Sequence, residues 1–122
     1  MEQTKNEIVK IKSRIGEKVS FKYPGNEDDK HGILKDRAVI ESDNAIGKVS
    51  YWDVVDLIEF KNEKESHWIR IGYYRKPFER LNWGSQTTIT EPISVWKNIL
   101  VSTAKEKKWF RDLLFDVMKE IK

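Results

Sequence analysis

Hydrophobic and polar residues alternate along most of the chain between residues 17 and 89, and a period of two predicts β-strands. Val19, Phe21 and Tyr23 alternate with charged or polar neighbours, which is typical of a half-buried strand. Four further strands are expected over 32–40, 49–60, 68–75 and 81–89. The last two strands are close enough along the chain to form a hairpin across residues 76–80.

Both ends of the chain change to a period of three to four residues, which predicts helices. Ile8, Ile11 and Ile15 share one face of a helix expected over 3–15, and Gly16 follows as a residue favoured after a helix C-terminus. The predicted sheet then occupies residues 17–90.

The segment 91–122 carries an apolar stripe that lapses in the charged run 105–108, so we expect two C-terminal helices with a break near Lys107. The stripe of the last helix consists of Phe110, Leu114, Val117 and Ile121. We expect this stripe to close the core of the sheet, and pairing with another chain is the alternative.

The length of 122 residues predicts a single domain, 1–122, of the α+β class, with a five-stranded antiparallel, barrel-like sheet and helices at both ends. The chain has no cysteine, which excludes a disulfide framework and a cysteine nucleophile. It also lacks a long apolar run and an apolar N-terminal segment, so we expect a cytoplasmic protein without a membrane span.

The strand pattern resembles a small SH3-like barrel, in which "EKVSFKY", "HGILKDRAVIE" and "VVDLIEF" would form the first three strands. The resemblance covers about half of the chain and rests on strand lengths and spacing. It implies a small binding module, because such barrels bind peptides, RNA or DNA. The fold alone does not select among these ligands.

Charge is distributed unevenly, although the net charge is only +3. The hairpin region 70–80 carries four cations against the single anion Glu79. Strand alternation places Trp68, Arg70 and Tyr74 on one face, which we expect to be exposed, and leaves Trp83 on the face toward the core. The predicted binding residues are Trp68, Arg70, Tyr74, Arg75, Lys76, Arg80, Asn82 and Gln86.

Three interpretations of this aromatic and basic face remain open at the level of sequence. Bases of RNA or single-stranded DNA stack on aromatic rings while arginines bind phosphates. Tryptophan, tyrosine and arginine also anchor protein interfaces, and such residues can simply stabilise a sheet. The sequence therefore favours a non-enzymatic binding module for single-stranded nucleic acid. Protein–protein interaction or oligomerisation, through the same face or the C-terminal helix, is the alternative.

Candidate catalytic chemistry is sparse. His31 and His67 lack ligand partners at local spacing, and Ser85 lacks the glycine pattern of a nucleophile elbow. Asp53 and Asp56 are the best candidates for a carboxylate pair, but nothing else in the sequence converges on them. We therefore predict no catalytic residues, metal or cofactor, with a small enzyme of unknown class as a distant alternative.

Overall fold

The computed structural model describes residues 2–21, 25, 30–42, 50–61, 63–76, 82–83 and 91–122. The sheet contains β1 (Lys18–Phe21), β2 (Lys30–Ser42), β3 (Ser50–Glu59) and β4 (His67–Lys76). A two-residue segment, β5 (Asn82–Trp83), pairs with β4. The helices are α1 (Glu2–Lys12), α2 (Ile93–Glu106) and α3 (Lys108–Ile121).

The chain is thus an α+β protein with three helices and an open antiparallel sheet of four strands, and β5 extends one edge. The strand order β1-β2-β3-β4-β5 leaves β1 and β5 at opposite edges. Barrel closure and a full fifth strand are not confirmed, because β1 has four residues and β5 has two. Most of the segment expected to form the fifth strand, 81–89, lies outside the described residues.

The turn after α1 differs from the sequence expectation. The helix ends at Lys12, three residues earlier than predicted, and a turn follows in which the Ile15 N–H donates to the Lys12 carbonyl at 3.1 Å. Gly16 has a φ of 96°, a backbone conformation that glycine adopts without the steric cost of a side chain. Its N–H donates to the Leu34 carbonyl at 2.7 Å, so this turn joins α1 to the sheet.

The predicted break in the C-terminal region is confirmed, and it lies at Lys107. The α2 helix begins at Ile93 with Pro92 as its N-cap residue.

The chain divides into two compact units, one formed by 1–37 and 55–71 and the other by 38–54 and 72–122. This division does not test the expected single domain, which stays a prediction. No helix among the described residues combines the length and the apolar character needed to cross a membrane.

In the first unit, Leu34, Ile58 and Phe60 form the buried cluster, with Val19 and Trp68 packed against it. Burial of side chains of this size stabilises a fold by about 1.5–3 kcal/mol each. The buried apolar side chains of the second unit come from strands and from both C-terminal helices: Ala38, Ile40, Trp52, Val54, Tyr74, Ile99 and Phe110.

Candidate functional site

The side chains of β4 alternate as predicted, but the assignment of its two faces is wrong. Tyr74, expected to be exposed, is buried with 7% of its surface accessible, whereas Ile69, on the opposite face of the same strand, is exposed. The register explains this difference, because Tyr74 is the direct partner of Trp83 and opposite residues of antiparallel strands share a face. A shift of one residue in register exchanges the two faces of a strand.

Tyr74 and Trp83 are in contact, with ring centroids 4.8 Å apart. The indole lies above Gly72, where an added Cβ would come within 2.3 Å of the Trp83 ring. Such a distance is shorter than any van der Waals contact, so glycine at position 72 leaves the space that the indole fills. Tyr74 therefore acts in packing rather than on an exposed face.

Arg70 belongs to a buried ionic cluster rather than to an open basic surface. Its Nε and Nη2 donate to Oδ2 of Asp56 at 3.1 and 2.9 Å. Arg37 donates to the same carboxylate, through Nε to Oδ1 at 2.6 Å and through Nη2 to Oδ2 at 3.0 Å. The Asp56 side chain is completely buried, and Arg37 is 2% exposed.

The Asp56 carboxylate is thereby satisfied by four N–H groups from two guanidinium groups. Arg37 also donates through Nη1 to the Ile11 carbonyl at 3.1 Å, in the last turn of α1, where a helix carries partial negative charge. The cluster, which we call the Asp56 cluster (Arg37, Asp56 and Arg70), therefore connects α1, β2, β3 and β4.

The sequence around Asp56 contains a signal for this cluster. Asp56 lies at the centre of the apolar segment "VVDLI", whereas Arg37 is the last of three consecutive charged residues in "ILKDRAVI". Charged residues are almost never fully buried unless they are paired. The aspartate in the middle of this apolar segment therefore indicates that a cation on a neighbouring strand pairs with it.

Trp68 lies at the other end of β4 and is half-buried. Its ring packs edge-on against Phe60 at 5.0 Å between centroids, and its Nε1 donates to the Glu65 carbonyl at 2.8 Å. The Lys30 ammonium lies 5.1 Å from the ring centroid and also pairs with Glu63. These contacts describe a stabilising cluster around the β3–β4 turn.

The remaining predicted binding residues are only partly described. Arg75 is exposed at the end of β4. Lys76 and Asn82 lie in strands, but their side chains fall outside the described part of the structure, as do Arg80 and Gln86 entirely. The structure thus brings Arg70 and Tyr74 into packed positions and leaves Arg75 in solvent.

The candidate carboxylates have different environments. Asp53 and Asp56 are three residues apart on β3, and an odd separation points their side chains to opposite faces. Asp53 is 2% exposed, and its Oδ2 has no hydrogen-bond partner within the described chain. Burial, and secondarily the charge of Glu91, raises the pKa of Asp53 from 3.8 to about 6.

The two histidines contact neighbouring polar side chains. Ser20 Oγ is 2.7 Å from His31 Nδ1, while His67 lies between Ser66 Oγ at 3.1 Å and Glu59 Oε2 at 3.3 Å. A Ser-His-Glu set resembles a hydrolase triad in composition, but His67 is half exposed at the start of β4. Within the described ranges, no three His, Asp or Glu residues are grouped as metal ligands.

The stripe of α3 is largely uncovered. Phe110 is buried and Leu114 is half-buried, but Val117 is exposed and Ile121 is 71% exposed. Leu113 and Met118, which widen the same face, are exposed as well. The expectation that this stripe closes the core is therefore wrong beyond the first turn of α3.

Comparison with known proteins gives no match: no family model fits the chain, and no curated protein or solved structure is significantly similar to it.

The Asp56 cluster predicts that Arg70 contributes to stability. We expect Arg70→Ala to lower the free energy of unfolding by about 1.5–3 kcal/mol, because hydrogen bonds to a buried carboxylate are lost. Arg75→Ala, a matched change at an exposed position of the same strand, should change it by less than about 0.5 kcal/mol. Urea denaturation of both variants measures the difference, and equal stability of the two would contradict the assigned role of Arg70.

The buried carboxyl of Asp53 predicts a pH dependence. Its folded-state pKa is raised, so the folded chain binds the proton more tightly than the unfolded chain does. The associated stability is present below about pH 4 and is lost as the pH rises through about 6. Asp53→Asn imitates the protonated acid. The free energy of unfolding of this variant, relative to that of the wild type, should therefore rise by up to about 3 kcal/mol from pH 4 to pH 7.

Thermal and denaturant unfolding at several pH values tests this prediction, with Asp116→Asn on the exposed surface of α3 as the control. The control should follow the wild type throughout. A stability difference between Asp53→Asn and the wild type that is the same at pH 4 and pH 7 would rule out a titrating Asp53.

Proposed function

We propose that this protein is a non-enzymatic interaction module that self-associates through the exposed apolar face of α3. The observation that carries the proposal is the exposure of Leu113, Val117, Met118 and Ile121 on one side of a single helix. Contiguous apolar surface of this kind is typical of interaction sites. Self-association through the C-terminal helix was the alternative that the sequence left open.

The sparse packing around the second half of α3 supports the same proposal. Every residue from Phe115 to Lys122 is exposed, so this half of the helix has little packing around it. Isolated helices shorter than about 12–15 residues are marginal in water, and helices in proteins gain most of their stability from a packed apolar face. A partner on the stripe would supply the packing that this segment lacks.

The basic and aromatic hairpin gives weaker support to nucleic-acid binding. Arg70 and Tyr74, two of its central residues, are engaged in packing, while Arg75 and part of Trp68 face solvent. Binding of RNA or single-stranded DNA at this hairpin stays a prediction. The SH3-like barrel, the cytoplasmic location and the absence of enzymatic activity also stay predictions from the sequence.

The proposal predicts that apolar stripe positions control the oligomeric state. We expect the wild type to associate with increasing concentration, and Val117→Ser combined with Ile121→Ser to remain monomeric, because the apolar area available for burial is lost. The melting temperature of the dilute variant should stay close to that of the wild type, since both side chains are exposed. Analytical ultracentrifugation from micromolar to millimolar concentration provides the measurement.

Phe115→Ser is the matched control, because Phe115 is also exposed on α3 but lies away from the stripe. It should associate as the wild type does. A wild type that stays monomeric at millimolar concentration, or a control that loses association to the same extent as the stripe variant, would contradict the proposed function.

A further inference from the structure

The two C-terminal helices are separated by one residue. The α2 helix ends at Glu106 and α3 begins at Lys108, so only Lys107 is outside helical geometry, with φ −117° and ψ 114°. A change of the backbone at this one position to helical angles would join α2 and α3 into a single helix from Ile93 to Ile121. Such a helix would be about 43 Å long.

The local sequence lacks the residues that usually end a helix, although the charged run 105–108 interrupts the apolar stripe. The residues from Thr103 to Arg111 contain no glycine or proline, and most of them are good helix formers. Lys107 makes no side-chain cap for α3, and the first turn of α3 has no acidic residue. Helix ends are normally marked by such features, so the break depends on tertiary contacts.

Two of the described contacts favour the broken form and are made by side chains of α3. Phe110 is 3% exposed, so the first turn of α3 is packed within the second unit. Arg111 Nη1 donates to the Ala104 carbonyl at 3.0 Å, and this carbonyl lies in the last turn of α2, where helix carbonyls lack partners within the helix. Both contacts are made by α3 side chains, so a second copy of α3 can supply the Phe110 contact equally well.

The apolar stripes on the two sides of the break share one register, although polar residues interrupt the stripe at the break itself. Positions spaced alternately by four and three residues run through both helices, as they do along one side of a coiled coil. They are Trp96, Leu100, Thr103, Lys107, Phe110, Leu114, Val117 and Ile121. The register is thus that of one continuous helix, and Lys107 occupies a core position of it.

We propose that two copies of this chain associate by exchanging α3, with Lys107 becoming helical and the Phe110 of each copy entering the position vacated in the other. The inference rests on the proposed function and specifies its geometry. Exchange repeats the contacts of the monomer, so it costs little. It also brings two long helices together, which allows the exposed parts of their stripes, Val117 and Ile121 among them, to be buried.

Lys108→Pro tests the exchange because it is compatible with the broken form at Lys107 and incompatible with the joined helix. Position 108 is the first residue of α3, where proline is tolerated. Proline also restricts the residue before it to φ near −120° and ψ of about 120–160°, close to the angles that Lys107 has in the broken form. Within a joined helix the same proline would remove a hydrogen bond and clash with the preceding turn.

We expect Lys108→Pro to fold and remain monomeric in analytical ultracentrifugation. Lys108→Ala, which removes the same charge and the same ion pair with Asp112, should associate as the wild type does. Lys107→Leu places an apolar residue at the core position of the joined helix and should lower the dissociation constant about tenfold. It provides a test that does not depend on how well the proline variant folds.

The outcomes distinguish the inference from the proposed function. If Lys108→Pro associates as strongly as the wild type, or Lys107→Leu fails to strengthen association, exchange is wrong, while docking of intact α3 helices stands. If the wild type stays monomeric at millimolar concentration, both the proposed function and the exchange are wrong.

Discussion

The arrangement of the first unit depends on one buried carboxylate. Asp56 is fully enclosed, and removing an ionised carboxylate from water is costly unless its charge and its hydrogen-bond capacity are both satisfied. Arg37 and Arg70 meet this requirement together, and Arg37 also binds the α1 carbonyl of Ile11. The helix and three strands can therefore pack only in a register that brings both guanidinium groups to the same carboxylate.

This constraint changes the functional interpretation of the hairpin. A guanidinium group that neutralises a buried carboxylate contributes to the fold, and its remaining exposure of 21% leaves little of it for a ligand. Tyr74 is likewise committed to Trp83. Exposed apolar side chains are instead grouped on α3, whose register continues that of α2. The proposed association of the chain therefore uses a helix, whereas the aromatic and basic residues of β4 mainly hold the sheet together.

Some of this architecture follows from the sequence. The alternation over 49–60 and 68–75 predicts β3 and β4 closely, and the lapse of the stripe predicts the break at Lys107. Alternation defines two faces of a strand but not which one is buried, because that depends on the register with the neighbouring strand. For this reason, the exposed face expected for Trp68, Arg70 and Tyr74 is wrong. An apolar stripe also cannot show whether its partner is in the same chain, so the exposure of Val117 and Ile121 was not predicted.

A double-mutant cycle between Arg37 and Asp56 tests the central claim most directly. Arg37→Met keeps most of the buried stem, and Asp56→Asn keeps the shape of the carboxylate, so the cycle reports mainly on the charged interaction. The account predicts that the two changes are not additive, with a coupling energy of about 2 kcal/mol or more in the free energy of unfolding. Additivity within about 0.5 kcal/mol would contradict the role of the Asp56 cluster.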